Sequence, residues 1–459
     1  MSQQPQNEKP KPQVLIVGAG IAGLTLGILL DQINVPYHIF ERASEVKPLG
    51  SGMAFVGNTL PALEQLGIYE ELKEISRPFS KVQYYDSNVK KIGIFDISGE
   101  TEVTGYETLF LSRPKFYGIL RKRVPDHRIS FKKKVLRIEE KEGKVLIHCS
   151  DNTSFVGDIL VGADGAYSGV RQNMYKKMDE KGILPKSDLE NFAIGYTTIV
   201  GVAKPSNPDK YPQLKEEGTV FHQINYKGGA NCHIVPLPDN QISWGFGLQL
   251  PKSALNDMQF RNSEWGPETN DATLERYRDY PCPLGGTMGD IFDATPKDLT
   301  SKVFLEEKLF KTWHHGKTVL IGDACHKFHP AAAQGARNAI CDSIVLANCI
   351  YDMPDASSES IEAALEEYYR QGFHHAEFAY NESVGKSKIL TGQTCHERVI
   401  RHVALNYIPA WMFRRLTIRG NEYRPQIAWL PLIENRGNGP VLPQAFERKD
   451  GTNAVDAKN

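Results

Sequence analysis

A glycine-rich turn near the start of the chain constrains the fold most. The aliphatic run Val14 to Val17 leads directly into Gly18-Ala19-Gly20-Ile21-Ala22-Gly23. A GxGxxG segment between a short buried strand and a helix is typical of a βαβ unit that binds a dinucleotide. Hydrophobic periodicity extends this unit with a helix over Gly23 to Gln32 and a second strand over Pro36 to Phe40.

Each glycine of this turn has a separate expected role. Gly18 makes the tight turn, Gly20 lets a pyrophosphate approach the backbone, and Gly23 lets the helix pack on the strand. Glu41 ends the second strand, where a carboxylate accepts hydrogen bonds from ribose hydroxyls and repels a 2′-phosphate. NADP is therefore a poor fit for this turn, and the adjacent Arg42 is a further candidate contact. A structural turn without a ligand is the alternative.

Length and charge restrict the class of protein. The 459 residues suggest two or three domains, and 41% hydrophobic residues are normal for a globular chain. A formal net charge of −1 gives no global basic field, which argues against a nucleic-acid partner.

The N-terminal sequence and the cysteine pattern both indicate a reducing compartment. The polar first dozen residues lack the apolar core of a signal peptide, and no apolar stretch approaches the length of a membrane span. The seven cysteines include no CxxC pair, so a disulfide framework or a metal site is not expected. We therefore expect a cytoplasmic protein without a metal.

Two further motifs follow predicted buried strands. Asp164-Gly165 ends the run from Val161 and precedes Ser168 and Arg171 at an expected helix start. Gly322-Asp323 ends the strand predicted for Lys317 to Ile321, where an aspartate can accept hydrogen bonds from a polyol chain. Each motif alone also fits an ordinary strand-to-helix or strand-to-loop turn.

Together, in this order and at these distances, the three motifs resemble those of the aromatic-hydroxylase class of FAD-dependent monooxygenases. This family includes para-hydroxybenzoate hydroxylase, salicylate hydroxylase and fungal epoxidases of meroterpenoid and indole-diterpene biosynthesis. The resemblance covers roughly residues 13 to 385. It implies that the GxGxxG turn binds the ADP half of FAD and that Glu41 holds the adenosine ribose.

The resemblance assigns further contacts with FAD residue by residue. Arg113, in Leu-Ser-Arg-Pro, matches an arginine that contacts FAD, and Ala54 lies in the matching Gly50-to-Ala54 segment. Asp164 matches an element tied to FAD and the pyridine nucleotide, Asp323 the ligand of the ribityl chain, and Ala336 a backbone contact to the flavin.

The resemblance also implies a reaction. NAD(P)H would bind transiently as co-substrate, since no second GxGxxG follows a strand. Oxygen would add to the reduced flavin as a C4a-hydroperoxide, which hydroxylates or epoxidises a small aromatic or isoprenoid substrate. The cofactor carries this chemistry and the protein supplies orientation and dryness. The alternatives are a flavin oxidoreductase without oxygen insertion and a flavin-binding scaffold without turnover.

Two residues depart from the family pattern beside the expected flavin ring. Ala333 stands where relatives have glycine, and Arg337 stands where relatives have asparagine. Both changes bear on the pose and reactivity of the flavin.

The expected fold is α/β, a Rossmann-like FAD-binding domain interrupted by a mostly antiparallel β-sheet substrate domain, with C-terminal helices. Strand-like alternation extends over Glu102 to Leu111, a hairpin turn is expected at 141–144, and a helix is expected over Ser360 to His375. The predicted segments are a disordered N-terminus (1–12), the FAD-binding domain (13–78, 112–190 and 301–385), the substrate domain (79–111 and 191–300), C-terminal helices with a strap (386–447) and a flexible tail (448–459).

Substrate-side candidates are few. His222 and His233 lie in the central strand-rich block, and His329 precedes Pro330 after the Gly-Asp motif. Each is a candidate base for a substrate hydroxyl, although a histidine satisfied within the core is the commoner case. The aromatic and basic segment from Asn406 to Arg419 suggests either a helix packed on the core or a peripheral contact with a membrane surface.

Overall fold

The computed structural model describes residues 11–45, 50–226, 229–249, 271, 273–391 and 395–446. The predicted flexible tail and all but the last two residues of the predicted N-terminal segment lie outside these ranges. The strands are β1 (Val14–Val17), β2 (Tyr37–Phe40), β3 (Gly52–Phe55), β4 (Ser76–Tyr85), β5 (Lys91–Asp96), β6 (Leu109–Ser112), β7 (Ile129–Ser130), β8 (Val135–Lys141), β9 (Lys144–Cys149), β10 (Ser154–Gly157), β11 (Ile159–Gly162), β12 (Ala193–Ala203), β13 (Thr219–Asn225), β14 (Ala230–Leu237), β15 (Gln241–Gln249), β16 (Ser301–Leu309), β17 (His314–His315), β18 (Thr318–Leu320) and β19 (His326–Lys327).

Helices connect many of these strands, and the last three helices follow the final strand and one earlier helix in the chain. They are α1 (Ile21–Gln32), α2 (Leu60–Gln65), α3 (Tyr69–Glu74), α4 (Gly99–Thr104), α5 (Arg113–Arg123), α6 (Gly169–Glu180), α7 (Lys186–Leu189), α8 (Met288–Asp293), α9 (Gly335–Asp352), α10 (Ser358–Thr391), α11 (Cys395–Asn406) and α12 (Ala410–Asn421). Among the residues described, no helix is both long and apolar enough to cross a bilayer.

A parallel sheet forms the centre of the molecule. Its order is β17-β18-β11-β1-β2-β7, and every pairing is parallel except that of β17 with β18. All four residues of β1 are buried, because α1 packs against Ile16 on one face of the sheet and the three-stranded antiparallel sheet β10-β9-β8 covers the other face, where Gly157 lies against Leu15. The carboxyl ends of β1, β2, β11 and β18 share one edge, so the segments that follow them meet there. These are the three motifs and Glu41 of the sequence analysis.

A second, larger sheet lies beside the first. Its ten strands run β19-β16-β12-β15-β14-β13-β4-β6-β3, with β5 paired to β4. Among the pairings described, β13 with β4 is parallel and the others are antiparallel. The expected α/β architecture with a mostly antiparallel second sheet is therefore confirmed, and the second sheet is mixed. The residue boundaries of the domains stay a prediction.

Of three local secondary-structure predictions, one is confirmed, one is partly wrong and one gives a helix that is too short. The hairpin at 141–144 is confirmed, since Glu142 and Gly143 both adopt positive φ, at 53° and 72°. The strand predicted from Glu102 to Leu111 is wrong in its first part, because the short helix α4 occupies it and ends at Gly105 with φ 75°. The helix predicted from Ser360 to His375 is α10, which continues to residue 391.

The chain after α12 runs without helix or strand over residues 422–446. Arg424 donates hydrogen bonds to the carbonyls of Val103 and Thr104, the latter at 3.4 Å. The Asn348 amide bridges Gln426 O and Ala428 N at 2.9 Å each. This extended segment is therefore hydrogen-bonded to both α4 and α9.

Candidate functional site

The glycine turn has the geometry that its sequence predicts. Gly18 adopts φ +107°, and a Cβ there would lie 2.4 Å from the Ala163 carbonyl oxygen. A Cβ on Gly23 would lie 2.0 Å from the Gly18 carbonyl oxygen. A Cβ on Gly20 would meet no protein atom within 4 Å, so the space above the N-terminus of α1 is open. Two glycines therefore serve packing, and Gly20 borders a space for a ligand.

Glu41 folds back onto this turn from the end of β2. Its two carboxylate oxygens accept hydrogen bonds from the backbone N–H groups of Ala19, at 2.9 Å, and Ala43, at 2.8 Å. These bonds fix the carboxylate beside the turn and leave lone pairs for further donors. Arg42, next in the chain, is exposed.

Asp164 lies against the other side of the same turn. Its Cα is 2.9 Å from the position of a Cβ on Gly18. One carboxylate oxygen accepts hydrogen bonds from the N–H groups of Gly169, at 2.7 Å, and Val170, at 3.2 Å, at the start of α6. The other oxygen is buried and has no hydrogen-bond partner in the structure. Burial also raises the pKa of this carboxyl. Because a buried oxygen is normally hydrogen-bonded, the unpaired oxygen marks a place for an external donor.

Asp323 and Arg113 approach each other at the far end of this edge. Asp323 pairs with Lys327, and Gly335 at the start of α9 lies beside its other oxygen. Burial opposes ionisation of Asp323, but Lys327, His326 and Arg113 outweigh it and lower its pKa. Burial lowers the pKa of Arg113 as well, yet the Arg113 side chain is solvent-accessible. A group that is surrounded by protein and still reached by water lines a cleft.

Tyr117 joins this cleft, and the sequence analysis missed it. It lies one helical turn after Arg113 on α5, and its hydroxyl is buried without a hydrogen-bond partner in the structure. Burial and the carboxylate of Glu41 raise its pKa to about 12, while Arg121 and Arg113 oppose the rise. Tyr117 is therefore close enough to both Glu41 and Arg113 for their charges to act on it. The i, i+4 spacing from Arg113 was the signal that could have found it.

The departures from the family pattern have definite structural places. Ala333 adopts φ 52°, in the left-handed region where glycine is favoured. Arg337 is 5% exposed in the first turn of α9, and its Nε donates to Asn58 Oδ1 at 3.0 Å. Ala336 lies between them, half-buried at the helix start. The loop keeps the shape of a glycine loop although Ala333 carries a Cβ.

The large sheet turns one face toward this loop. Ala54 of β3 packs in a small apolar cluster with Phe110 and Val235, and Phe221 and Ala333 border it. His233 stacks on Phe221, with ring centroids 5.2 Å apart, and covers Gly245, where a Cβ would lie 2.2 Å from the imidazole. This face thus forms the opposite wall of the space beside Ala333.

The three candidate histidines occupy different places. His222 lies on the opposite face of β13, where its Nδ1 and the Tyr85 hydroxyl are 3.0 Å apart. His233 makes no side-chain hydrogen bond with any residue that the structure describes. Burial lowers the pKa of His222, His233 and His329 to about 4. The geometry brings His233 toward the cleft and leaves His222 outside it, and His329 stays on the loop before Ala333.

A buried ion pair supports the loop from below. The Asp342 carboxylate accepts a hydrogen bond from Gly322 N–H at 2.7 Å and lies 2.7 Å from His326 Nε2. With Cys325 these side chains form a group of potential metal ligands. Asp342 is engaged by the loop itself, so the group holds Gly322 and Asp323 in position.

Comparison with known proteins agrees with this geometry. The FAD-binding-domain family model matches residues 11–196 and 288–377, which include all of the segments after β1, β2, β11 and β18. The chain belongs to the FAD-dependent monooxygenases. The paxM monooxygenase of Penicillium paxilli is 30% identical over 397 residues, covering 82% of this chain and 78% of its own. The atmM monooxygenase of Aspergillus flavus is 27% identical over 468 residues, covering 97% and 92%.

Solved structures share the fold. HpxO of Klebsiella pneumoniae, complexed with FAD and uric acid, matches with a TM-score of 0.72 and 20% identity, over 91% of this chain and 98% of that chain. The 2,6-dihydroxypyridine-3-hydroxylase of Arthrobacter nicotinovorans matches with a TM-score of 0.66 and 18% identity, over 84% and 94%. The FAD-dependent monooxygenase therefore has the fold of flavin hydroxylases.

The residues of the cleft fit FAD. The open space at Gly20 accommodates a pyrophosphate at the N-terminus of α1. The unpaired oxygen of Asp164 and the unpaired hydroxyl of Tyr117 point to an absent polar partner. A long ligand with hydroxyl groups and phosphates satisfies these groups together.

Proposed function

We propose that FAD lies extended along the carboxyl edge of the parallel sheet. Gly18, Gly20 and Gly23 shape the turn for the pyrophosphate, and Glu41 holds the adenosine ribose, with Arg42 beside it. The support is the open space at Gly20 and the position of the Glu41 carboxylate, fixed by two backbone amides.

The flavin half extends from this turn to the loop before α9. Asp323 accepts hydrogen bonds from the ribityl chain, Arg113 and Asp164 contact the cofactor, and Ala54 and Ala336 border the ring system through the backbone. The proximity of Arg113 and Asp323 in one water-accessible cleft is the observation that carries this proposal.

NAD(P)H is the proposed reductant, and O2 the second co-substrate. Bound FAD supplies the redox and oxygen-activating chemistry. The chain supplies the walls, because α5, the Ala333 loop and the large sheet border the space proposed for the ring.

The proposed substrate is a small aromatic or isoprenoid compound that is hydroxylated or epoxidised between the large sheet and the Ala333 loop. Phe110, Phe221 and Val235 provide an apolar wall. His233 is neutral at physiological pH, because burial lowers its pKa to about 4. Its imidazole therefore orients a substrate hydroxyl by hydrogen bonding. Phe221 and Val235 lie between the two matched segments, where specificity is expected to vary, and Phe110 lies in the first matched segment.

Flavin retention tests the cofactor site. Glu41→Ala and Asp323→Ala lower FAD occupancy after dialysis, and the matched controls Glu45→Ala and Asp298→Ala, both at exposed carboxylates, keep it. If both site variants stay as yellow as the wild type, the assignment is wrong.

A compound panel tests the substrate class. Aromatic and isoprenoid compounds are scored by stimulated NAD(P)H oxidation and by product mass. Stimulation by neither class would contradict the proposed substrate while leaving the FAD site intact. We also propose a cytoplasmic enzyme with a peripheral membrane contact through its C-terminal region.

A further inference from the structure

The C-terminal helices carry an unusual concentration of exposed apolar side chains. Of fifteen exposed large hydrophobic residues in the part of the chain that is described, seven lie between residues 399 and 416. They are Val399, Ile400, Val403, Tyr407, Trp411, Met412 and Leu416. Scattered single residues of this kind are ordinary on a soluble surface, whereas a cluster marks an interaction site.

Helix α11 presents these residues as one stripe. Val399, Ile400 and Val403 are 62%, 55% and 45% exposed, and Tyr407 just beyond the helix is 69% exposed. This spacing places all four within about a 100° arc of the helix. The opposite side packs inward, where Leu405 covers Gly93 of β5. The outward stripe is therefore additional to the packing of α11.

Helix α12 continues the surface. Phe413 packs inward against Phe95, with ring centroids 4.8 Å apart. Phe95 lies two residues after Gly93 on β5, so both helices cover the same face of that strand. Trp411 and Met412 are 65% and 37% exposed on the side of α12 that faces away from Phe413. The outer sides of the two helices thus form one surface.

The charge of this surface is basic. Residues 395–421 contain five arginines and one glutamate, and four of the arginines, Arg398, Arg414, Arg415 and Arg419, are exposed. Arg415 is exposed one turn from Trp411, on the same side of α12. An apolar stripe with tryptophan, tyrosine and arginine is typical of helices that lie in the interface of a membrane. Anionic lipid headgroups complement the arginines.

We propose that the outer surface of α11 and α12 docks onto an anionic phospholipid membrane, with the helices parallel to its plane. The apolar side chains enter the headgroup region, and the arginines contact lipid phosphates. This contact gives the peripheral membrane association proposed above a defined surface and a lipid class, and it rests on that proposal. This proposal is independent of the cofactor and substrate assignments.

Flotation of the flavin-loaded full chain with vesicles tests it. The wild type is expected to float with phosphatidylcholine vesicles containing phosphatidylserine, and less with phosphatidylcholine alone. The triple variant Val403→Ser, Tyr407→Ser, Trp411→Ser is expected to bind at least about tenfold more weakly, because each large apolar side chain contributes up to about tenfold.

The matched control carries the same change elsewhere. Val156, Ile183 and Leu189 are 57%, 51% and 55% exposed and lie apart from α11 and α12. Their triple replacement by serine is expected to leave flotation and FAD content at wild-type values. Equal loss of binding in the control and in the helix variant would overturn the proposal.

A charge variant covers the case in which the triple variant does not fold. Arg415→Glu is expected to weaken binding to anionic vesicles by more than about tenfold, because each charge near the surface contributes about fivefold. Lys181→Glu, at an exposed lysine after α6, is its control.

Two results would overturn membrane docking. The first is a wild-type protein that floats with neither vesicle. The second is a wild-type dimer in sedimentation velocity that the helix triple variant converts to monomer without any vesicle binding, since the surface would then pair with a second copy of the chain.

Discussion

Replacing the second glycine of the turn separates cofactor binding from folding. A Cβ on Gly20 meets no protein atom within 4 Å, and its φ of −78° is accessible to alanine. The same change at Gly18 or Gly23 drives a Cβ to 2.4 or 2.0 Å from a backbone oxygen. Gly20→Ala should therefore keep the fold and fill the space proposed for the pyrophosphate.

The magnitudes follow from these contacts. Alanine at Gly20 reduces the entropy of the unfolded chain, worth about 0.4–1 kcal/mol, and is a poorer N-cap by a similar amount. The free energy of unfolding should thus stay within about 1 kcal/mol of wild type. Loss of two charge-assisted hydrogen bonds to phosphate, each about 1.5 kcal/mol or more, should weaken FAD binding about a hundredfold.

Titration of the apoprotein with FAD and urea unfolding of the apoprotein measure the two effects. Gly20→Ala should lose FAD affinity and keep its unfolding midpoint, whereas Gly23→Ala should lose both. Wild-type FAD affinity in Gly20→Ala would refute the placement of the pyrophosphate at this turn.

Three further changes test the cleft and its support. Ala333→Gly should raise the free energy of unfolding by about 1 kcal/mol in urea titrations, because Ala333 adopts φ 52°, and an unchanged or lower value would contradict the left-handed conformation. Tyr117→Phe should lower FAD affinity several-fold in the same titration without changing the unfolding midpoint, whereas unchanged affinity would place Tyr117 outside the site. Burial alone would lower the pKa of His326, but the carboxylate of Asp342 outweighs burial and raises this pKa well above its usual value. The pair therefore stabilises the fold fully below about pH 6.5, and this stabilisation is lost as the pH rises through the raised pKa. Asp342→Asn should flatten that loss above about pH 6.5, and an unchanged slope would exclude the pair as its origin.

The cofactor edge was predictable because it depends on chain order and strand ends. Gly18, Glu41, Asp164 and Asp323 each come at or just after the end of a short, mostly buried strand, and parallel strands bring their carboxyl ends to one edge. Local sequence therefore located the candidate residues, and topology assembled them.

The substrate wall depends on register, which local pattern does not contain. His222 pairs with Ile234, and His233 pairs with Gln223, so the two histidines lie on opposite faces of one sheet. A register shift between Thr219 and Val220 further sets how β13 meets β4. Sequence alternation alone could not distinguish His222 from His233 as the candidate base.

Helix lengths and backbone conformations were also beyond the pattern. Glu102 lies in α4, whose end is set by the left-handed Gly105 and not by the alternation that suggested a strand. The positive φ of Ala333 could not be predicted from the sequence, because alanine disfavours the left-handed region. The loop between Pro330 and α9 imposes this conformation.

Incorporation of labelled dioxygen tests the central claim most directly. The flavin-loaded protein is supplied with NAD(P)H, isotopically labelled O2 and the compound that stimulates NAD(P)H oxidation most strongly. A monooxygenase places one labelled oxygen atom in the product and the other in water. Stimulated oxidation that returns all of the label as hydrogen peroxide or water, with the compound unchanged, would contradict monooxygenase activity toward that compound, and the same result across the panel would contradict the account.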